Sequence, residues 1–196
     1  WRGGNGIAAQ TVGSEQVIYG NIVYGQTPTP FEQQGHGMYL QNTYANGYKY
    51  IVGNIISDPP RQACNLVRDP VTGQVTSAND CFVLHGYTEQ GLIEGFHLEN
   101  NVFLNGRTLI GGFGQPAHHE IIRDNYFHSS SMQLGYRRPV QFEMTGNILG
   151  RGMFLAPYYW GLNGSGAAPV KPLQNIFRNN TLVLPSGYND QYINLT

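Results

Sequence analysis

Charge is scarce in this chain. Asp, Glu, Lys and Arg make up 12% of 196 residues, about half the share of an ordinary globular domain, and the formal net charge is −1. Lys49 and Lys171 are its lysines, so no electrostatic pull toward nucleic acid exists and none is expected as a partner. Long apolar runs are lacking as well, and no segment approaches the ~20 residues of a transmembrane helix. Neither a signal peptide nor an initiator Met is present, and an opening at Trp1 reads as a processed or partial piece of something longer. Helix formers are few, while 26 glycines and 13 tyrosines supply turns and exposed strand faces. No cofactor is expected. At this length the chain reads as one domain over residues 1–196.

What is present is an internal repeat. Six asparagines, Asn21, Asn54, Asn101, Asn125, Asn147 and Asn180, share one setting: an apolar residue three positions before, Gly, Asp or Asn immediately before, and an apolar residue two positions after. Examples are Ile18-Tyr19-Gly20-Asn21-Ile22-Val23 and Ile122-Arg123-Asp124-Asn125-Tyr126-Phe127. Two brief apolar segments broken at a turn residue are too short for helices, so the unit is a strand, a turn and a strand. Such a unit, repeated, describes a solenoid of parallel strands in which Asn stacks on Asn as a hydrogen-bonded ladder. The steps are 33, 47, 24, 22 and 33 residues. The two shortest suit one coil each, 47 suits two coils, and each 33 suits one coil with an insertion, giving roughly seven or eight coils.

Between the Asn motifs runs a second strand set: Gly37-Met38-Tyr39-Leu40-Gln41-Asn42, Phe82-Val83-Leu84-His85-Gly86-Tyr87, Ser131-Met132-Gln133-Leu134-Gly135-Tyr136 and Gly152-Met153-Phe154-Leu155. Strand alternation sends Met38, Leu40, Phe82, Leu84, Met132, Leu134, Met153 and Leu155 inward. It sends Tyr39, Gln41, His85, Tyr87, Gln133 and Phe154 outward as a polar-aromatic strip. These runs, with Gly35-His36, Thr88-Glu89, Phe96-His97-Leu98-Glu99-Asn100-Asn101-Val102-Phe103 and Leu109-Ile110-Gly111-Gly112, resemble the bacterial right-handed parallel β-helix repeat proteins over most of the chain. The resemblance implies an all-β right-handed parallel β-helix, secreted or exposed on a cell surface. Wider structural relatives of that fold include pectate and alginate lyases, epimerases, polygalacturonases and tailspikes, an analogy that favours polysaccharide without identifying chemistry.

Cys64 and Cys81 frame turn-rich sequence, so residues 57–81 read as an insertion looped out of the stack. A Cys64–Cys81 disulfide would close that loop, the alternative being two buried thiols. Asn163 and Asn194 stand in N-glycosylation patterns.

Several short motifs carry possible chemistry. Gly35-His36-Gly37 resembles the histidine motif of polygalacturonases, but no Asp precedes Asp58 to serve as acid or base, so a tight turn with a packed or hydrogen-bonded His36 is the plainer reading. Arg137-Arg138-Pro139 resembles the arginine motif of pectate lyases without its aspartate cluster. His118-His119-Glu120 suggests a metal site, but strand neighbours diverge to opposite faces, and no metal is assigned. His85, Tyr87 and Glu89 form the best catalytic candidate. His85 and Tyr87 share the outward face and Glu89 can reach back, a set able to exchange the proton at a uronate C5 while Arg137 or Arg107 neutralises the carboxylate. Tyr39, Gln41, Gln133, Arg137 and Phe154 would line the bound polymer. The plain alternative is a strand face that stays wet.

Two functions follow. One is an extracellular protein that binds or processes acidic polysaccharide along the strip. The other is a non-catalytic solenoid of a cell-surface or extracellular filament, in which unpaired strand edges promote self-association.

Overall fold

The computed structural model describes residues 6–10, 15–24, 36–42, 47–57, 67–68, 75–77, 82–86, 93–111, 117–128, 131–134, 140–150 and 175–183. These form an all-β structure, with no helix among them, in which three parallel sheets, A, B and C, are visited in rotation. The first circuit is β1 (Ile7–Ala9) in A, β2 (Gln16–Tyr19) in B and β3 (Ile22–Tyr24) in C. The second is β4 (Met38–Leu40), β5 (Lys49–Val52) and β6 (Ile55–Ser57). An antiparallel pair, β7 (Val67–Arg68) with β8 (Val75–Ser77), follows apart from the three sheets. The third circuit is β9 (Phe82–Gly86), β10 (Ile93–Glu94) with β11 (Phe96–Glu99), and β12 (Val102–Leu104). The fourth is β13 (Arg107–Ile110), β14 (Ala117–Arg123) and β15 (Tyr126–His128), and the fifth is β16 (Ser131–Leu134), β17 (Val140–Thr145) and β18 (Ile148–Leu149). In the sixth, β19 (Ile176–Arg178) extends B and β20 (Thr181–Leu182) extends C.

Alternation within each strand builds the interior. Ile18, Ile51, Leu98, Ile122 and Met144 are in register on successive B strands, and Val23, Ile56, Phe103, Phe127 and Leu149 on successive C strands; all belong to one buried cluster. Phe103 and Phe127 stack face to face, with ring centroids 4.8 Å apart.

Each B-to-C corner is two residues long, and both are specified. The first is left-handed: Gly20, Gly53, Asn100, Asp124, Gly146 and Asn179 have φ between 55° and 69°. Gly, Asn and Asp tolerate that region best, which is why the repeat demands them. The second is the ladder Asn. Its side-chain Nδ2 donates to Oδ1 of the Asn on the next rung, at 2.9 Å from Asn21 to Asn54, 3.0 Å to Asn101, 2.9 Å to Asn125, 3.0 Å to Asn147 and 2.8 Å to Asn180. The same Oδ1 accepts the backbone N–H of the preceding ladder Asn at 2.9–3.0 Å. Nδ2 also reaches the carbonyl of the apolar strand residue one rung back, as from Asn125 to Leu98 at 3.0 Å. Both amide orientation and register are thereby fixed, since a flipped side chain would set N–H against N–H.

The 47-residue step differs from expectation. Asn54 bonds directly to Asn101 and Ile55 pairs with Val102, so one circuit, and not two, separates them. Its extra length lies in residues 58–81, which include β7 and β8. Among the described residues the ladder has six rungs, the 47-residue step supplying one circuit where two were expected.

Two ionisable groups sit inside the stack. Lys49 is fully buried, and its Nζ donates to the Ala9 carbonyl at 2.6 Å and the Gln41 carbonyl at 2.5 Å. Burial lowers its pKa to about 8. Glu120 lies one strand beyond Phe96 on the same row. Burial pushes its pKa well up, opposed by the hydrogen bond its Oε2 accepts from the Phe96 N–H at 3.1 Å and reinforced by Glu94.

Asn125→Ala should cost about 2–5 kcal/mol, because it strands the Asn101 N–H and the Leu98 carbonyl in the interior. Asn21→Ala, on the outermost rung, should cost under about 1 kcal/mol. Denaturant titration showing equal losses would refute this role for the ladder. Glu120→Gln should stabilise the fold at neutral pH. A raised folded pKa means that stability declines as pH rises above the unfolded value of about 4.3, so the variant's advantage should grow from there upward.

Candidate functional site

The outward faces of the three sheets differ in chemistry. The strands of sheet C carry no Asp, Glu, Lys or Arg, and outward Ile22, Ile55, Tyr126 and Ile148 are exposed. On sheet B, Glu99 and Glu143 offset Arg123 and Arg178, with Glu143 lying 3.9 Å from Arg123 and 4.0 Å from Arg178. Such partly exposed pairs contribute little stability, and with half-buried Glu94 on β10 this face has no excess of positive charge to offer an anionic ligand. Tyr48, Tyr50 and His97 cluster on this face, where His97 Nε2 lies 2.8 Å from Glu99 Oε2 without hydrogen-bond alignment.

Sheet A is different because its outward row is largely shielded. Tyr39, His85, Leu109 and Gln133 stand in register on β4, β9, β13 and β16. Leu109 is 3% exposed and His85 8% exposed, so this is not the wet strip that alternation alone suggests. Immediately before β4, His36 is 2% exposed, and its Nε2 lies 3.1 Å from His85 Nδ1. His36 stacks on Tyr39 at 5.6 Å, and Phe82 stacks on His85 at 4.3 Å. The guanidinium of Arg107 lies 5.5 Å from the Phe82 ring centroid, within cation–π range.

Phe82 was expected in the core and is buried, but it lies outside the main cluster. A register shift between β9 and β13, where Arg107 pairs with Phe82 but Thr108 with Leu84, turns Phe82 toward His85 and gives Val83 its place inside. Gly37 is required here: a Cβ on it would come within 2.6 Å of both Ile56 Cγ2 and the Val83 carbonyl oxygen. That close approach seats His36 against β9.

Both imidazoles are neutral at ordinary pH. Burial lowers the pKa of His36 to about 4; burial, then His36, then Arg107 lower that of His85 to about 2. A base this weak serves as a hydrogen-bonding group rather than a proton carrier.

The structure brings together Tyr39 and His85 from the expected strip with Arg107, one of the two arginines expected to supply charge, and adds His36. Gln41 serves the fold through its backbone, donating to the Ala9 carbonyl and accepting from Lys49. Gln133 occupies its expected register on β16. Tyr87, Glu89, Arg137, Phe154, Cys64, Cys81, Asn163 and Asn194 lie outside the described residues. His118 and His119 lie on β14, where His119 adopts φ 61° and the rings sit 6.2 Å apart at 73°. Among the described residues no three His, Cys, Asp or Glu side chains converge to hold a metal ion. No family model, no curated protein and no solved structure matches the chain.

The histidine pair makes stability pH-dependent. An unfolded chain's histidines take protons near pH 6.5, whereas folded His36 resists until about pH 4. The unfolded state therefore binds more protons in that window, and His36 alone makes stability fall by on the order of 3 kcal/mol as pH falls through it; His85 adds a similar loss over the same window and extends it further down. Replacing His36 with Asn should roughly halve the slope of the limb between these values in denaturant titrations. An unchanged limb would show that the pair does not govern it.

Proposed function

We propose that the chain is a right-handed parallel β-helix of the extracellular space that binds acidic polysaccharide along the outward face of sheet A. Rotation of the chain through three parallel sheets supports the helical reading, and the strong handedness rule for parallel crossovers supports the right-handed sense. The carrying observation is the convergence of Arg107, Tyr39 and a neutral histidine pair on one face. Arg107 is the only charged residue in the described strands of that sheet. Rings offer stacking surfaces to sugars, and a cation suits a polymer bearing carboxylates. Scarce lysine and plentiful Tyr and Asn agree with an extracellular setting. Binding is favoured over lyase or epimerase chemistry at His85, Tyr87 and Glu89, because neutral His85 is enclosed by His36 and Phe82.

Affinity electrophoresis in alginate, pectin and glycosaminoglycan gels tests this. At least one acidic polymer should retard the protein, and Tyr39→Ala and Arg107→Gln should each weaken retardation about tenfold or more. Free migration in every gel would overturn the reading. Unsaturated products absorbing in the near ultraviolet would reinstate catalysis.

A second reading, a structural solenoid that self-associates, is favoured by the sixth circuit. Leu182 is in register with buried Leu149, yet it is 36% exposed. That rung thus presents an apolar surface suited to another coil. Electron microscopy should show discrete particles under the first reading and ordered filaments under the second.

A further inference from the structure

We infer that the two ends of the stack dock head to tail on a second copy of this chain, β2 and β3 of one copy continuing sheets B and C beyond β19 and β20 of another. This rests on the self-associating reading and names its surfaces. β2 and β19 are the edge strands of sheet B, and β3 and β20 those of sheet C, so each end presents strands that a further strand can pair.

The Asn ladder has a direction, and its two ends therefore differ. Every rung from Asn21 to Asn147 sends its backbone N–H and its Nδ2 to Oδ1 of the next. On the last rung, Asn180 Nδ2 keeps the Met144 and Arg178 carbonyls, but the Asn180 N–H meets no acceptor among the described residues. On the first rung, Asn21 Oδ1 meets no donor among them. Each end lacks what the other offers, and a second copy placed one rung beyond Asn180 restores the same pair of bonds. Two like ends would set N–H against N–H or oxygen against oxygen, so the contact is heterologous.

Exposed apolar side chains gather at the same two ends. Of the ten large hydrophobic residues exposed among the described residues, seven lie on the first or last rung. Ile22 on the first rung is 70% exposed, whereas Ile55 and Ile148, in the same row inside the stack, are 41% and 44% exposed. The difference is the surface that one more rung covers. Continued register sets Val17 beside Ile176 and Val23 beside Leu182. Arg178 is the only charged residue on these four strands, so no like charges meet across them.

Sedimentation velocity of the wild-type chain should show oligomers that lengthen with concentration. Ile22→Glu with Tyr24→Glu disables the first end, and Ile176→Glu with Val183→Glu disables the last; all four side chains are exposed, and melting transitions check that the variants fold. Each double variant alone should associate about tenfold or more weakly than wild type. Mixed, the two should give a heterodimer and nothing larger, because the intact last end of one meets the intact first end of the other. If one variant fails to fold, the other should still stop growth when added to wild type, as a chain terminator. A wild-type chain that stays monomeric at every concentration would overturn both the docking and the self-associating reading. Association that the end variants leave unchanged, or a mixture without heterodimer, would overturn the docking alone.

Discussion

Everything in this structure depends on how the backbone turns from sheet B into sheet C. A two-residue corner between strands leaves an N–H and carbonyls pointing along the stack, where no ordinary turn residue can satisfy them. The ladder Asn does so by offering both an acceptor and a donor group from one planar side chain, in the orientation that repeats from rung to rung. Because each rung bonds the next, a shift of one residue would break the amide ladder and turn the strands inside out together. Register is thus held twice, by hydrogen bonds at the corner and by burial on either side of it.

Constancy at that corner throws length variation elsewhere. The connections from C to A span residues 25–37, 58–81, 105–106 and 129–130, and the two longest lead into β4 and β9. Those are the strands that, with the residue before β4, carry Tyr39, His85 and His36. The corner that fixes the architecture is unvaried, and the part that differs from rung to rung adjoins the shielded outward face. Sites in repeat folds commonly gather where insertions leave the repeat, since the core there no longer dictates the side chains.

The ladder was legible in the sequence because its requirements are local. A left-handed residue, then Asn, flanked by apolar positions, is a pattern that six segments satisfy without reference to anything distant. The number of circuits was not legible: the 47-residue step has the length of two coils, and only the pairing of Ile55 with Val102 shows one. Phe82 is buried as expected, yet it packs beside His85 and outside the main cluster, because period-two alternation presumes an unbroken strand and the register shift beside Arg107 breaks it. His36 was read as packed or hydrogen-bonded in a turn, which it is, but its partner lies 49 residues away in sequence. The available signal was Gly37, a glycine entering an apolar strand, which marks close backbone approach.

Lys49 and Glu120 show how firmly this architecture tolerates local cost. They occupy one inward row but are separated by Phe96, which pairs with Lys49 on one side and donates its N–H to Glu120 on the other, so they do not neutralise each other. Each is accommodated separately: Lys49 by two carbonyls near the A-to-B connection, Glu120 by a backbone N–H beside the break at Gly95 between β10 and β11. Both shift toward their uncharged forms, as desolvation requires. Such groups would be expensive in a domain with one small core. Here the cost is confined to a few rungs, because stability in a stack is approximately a sum over neighbours, and the Asn corner beside those rungs continues unbroken.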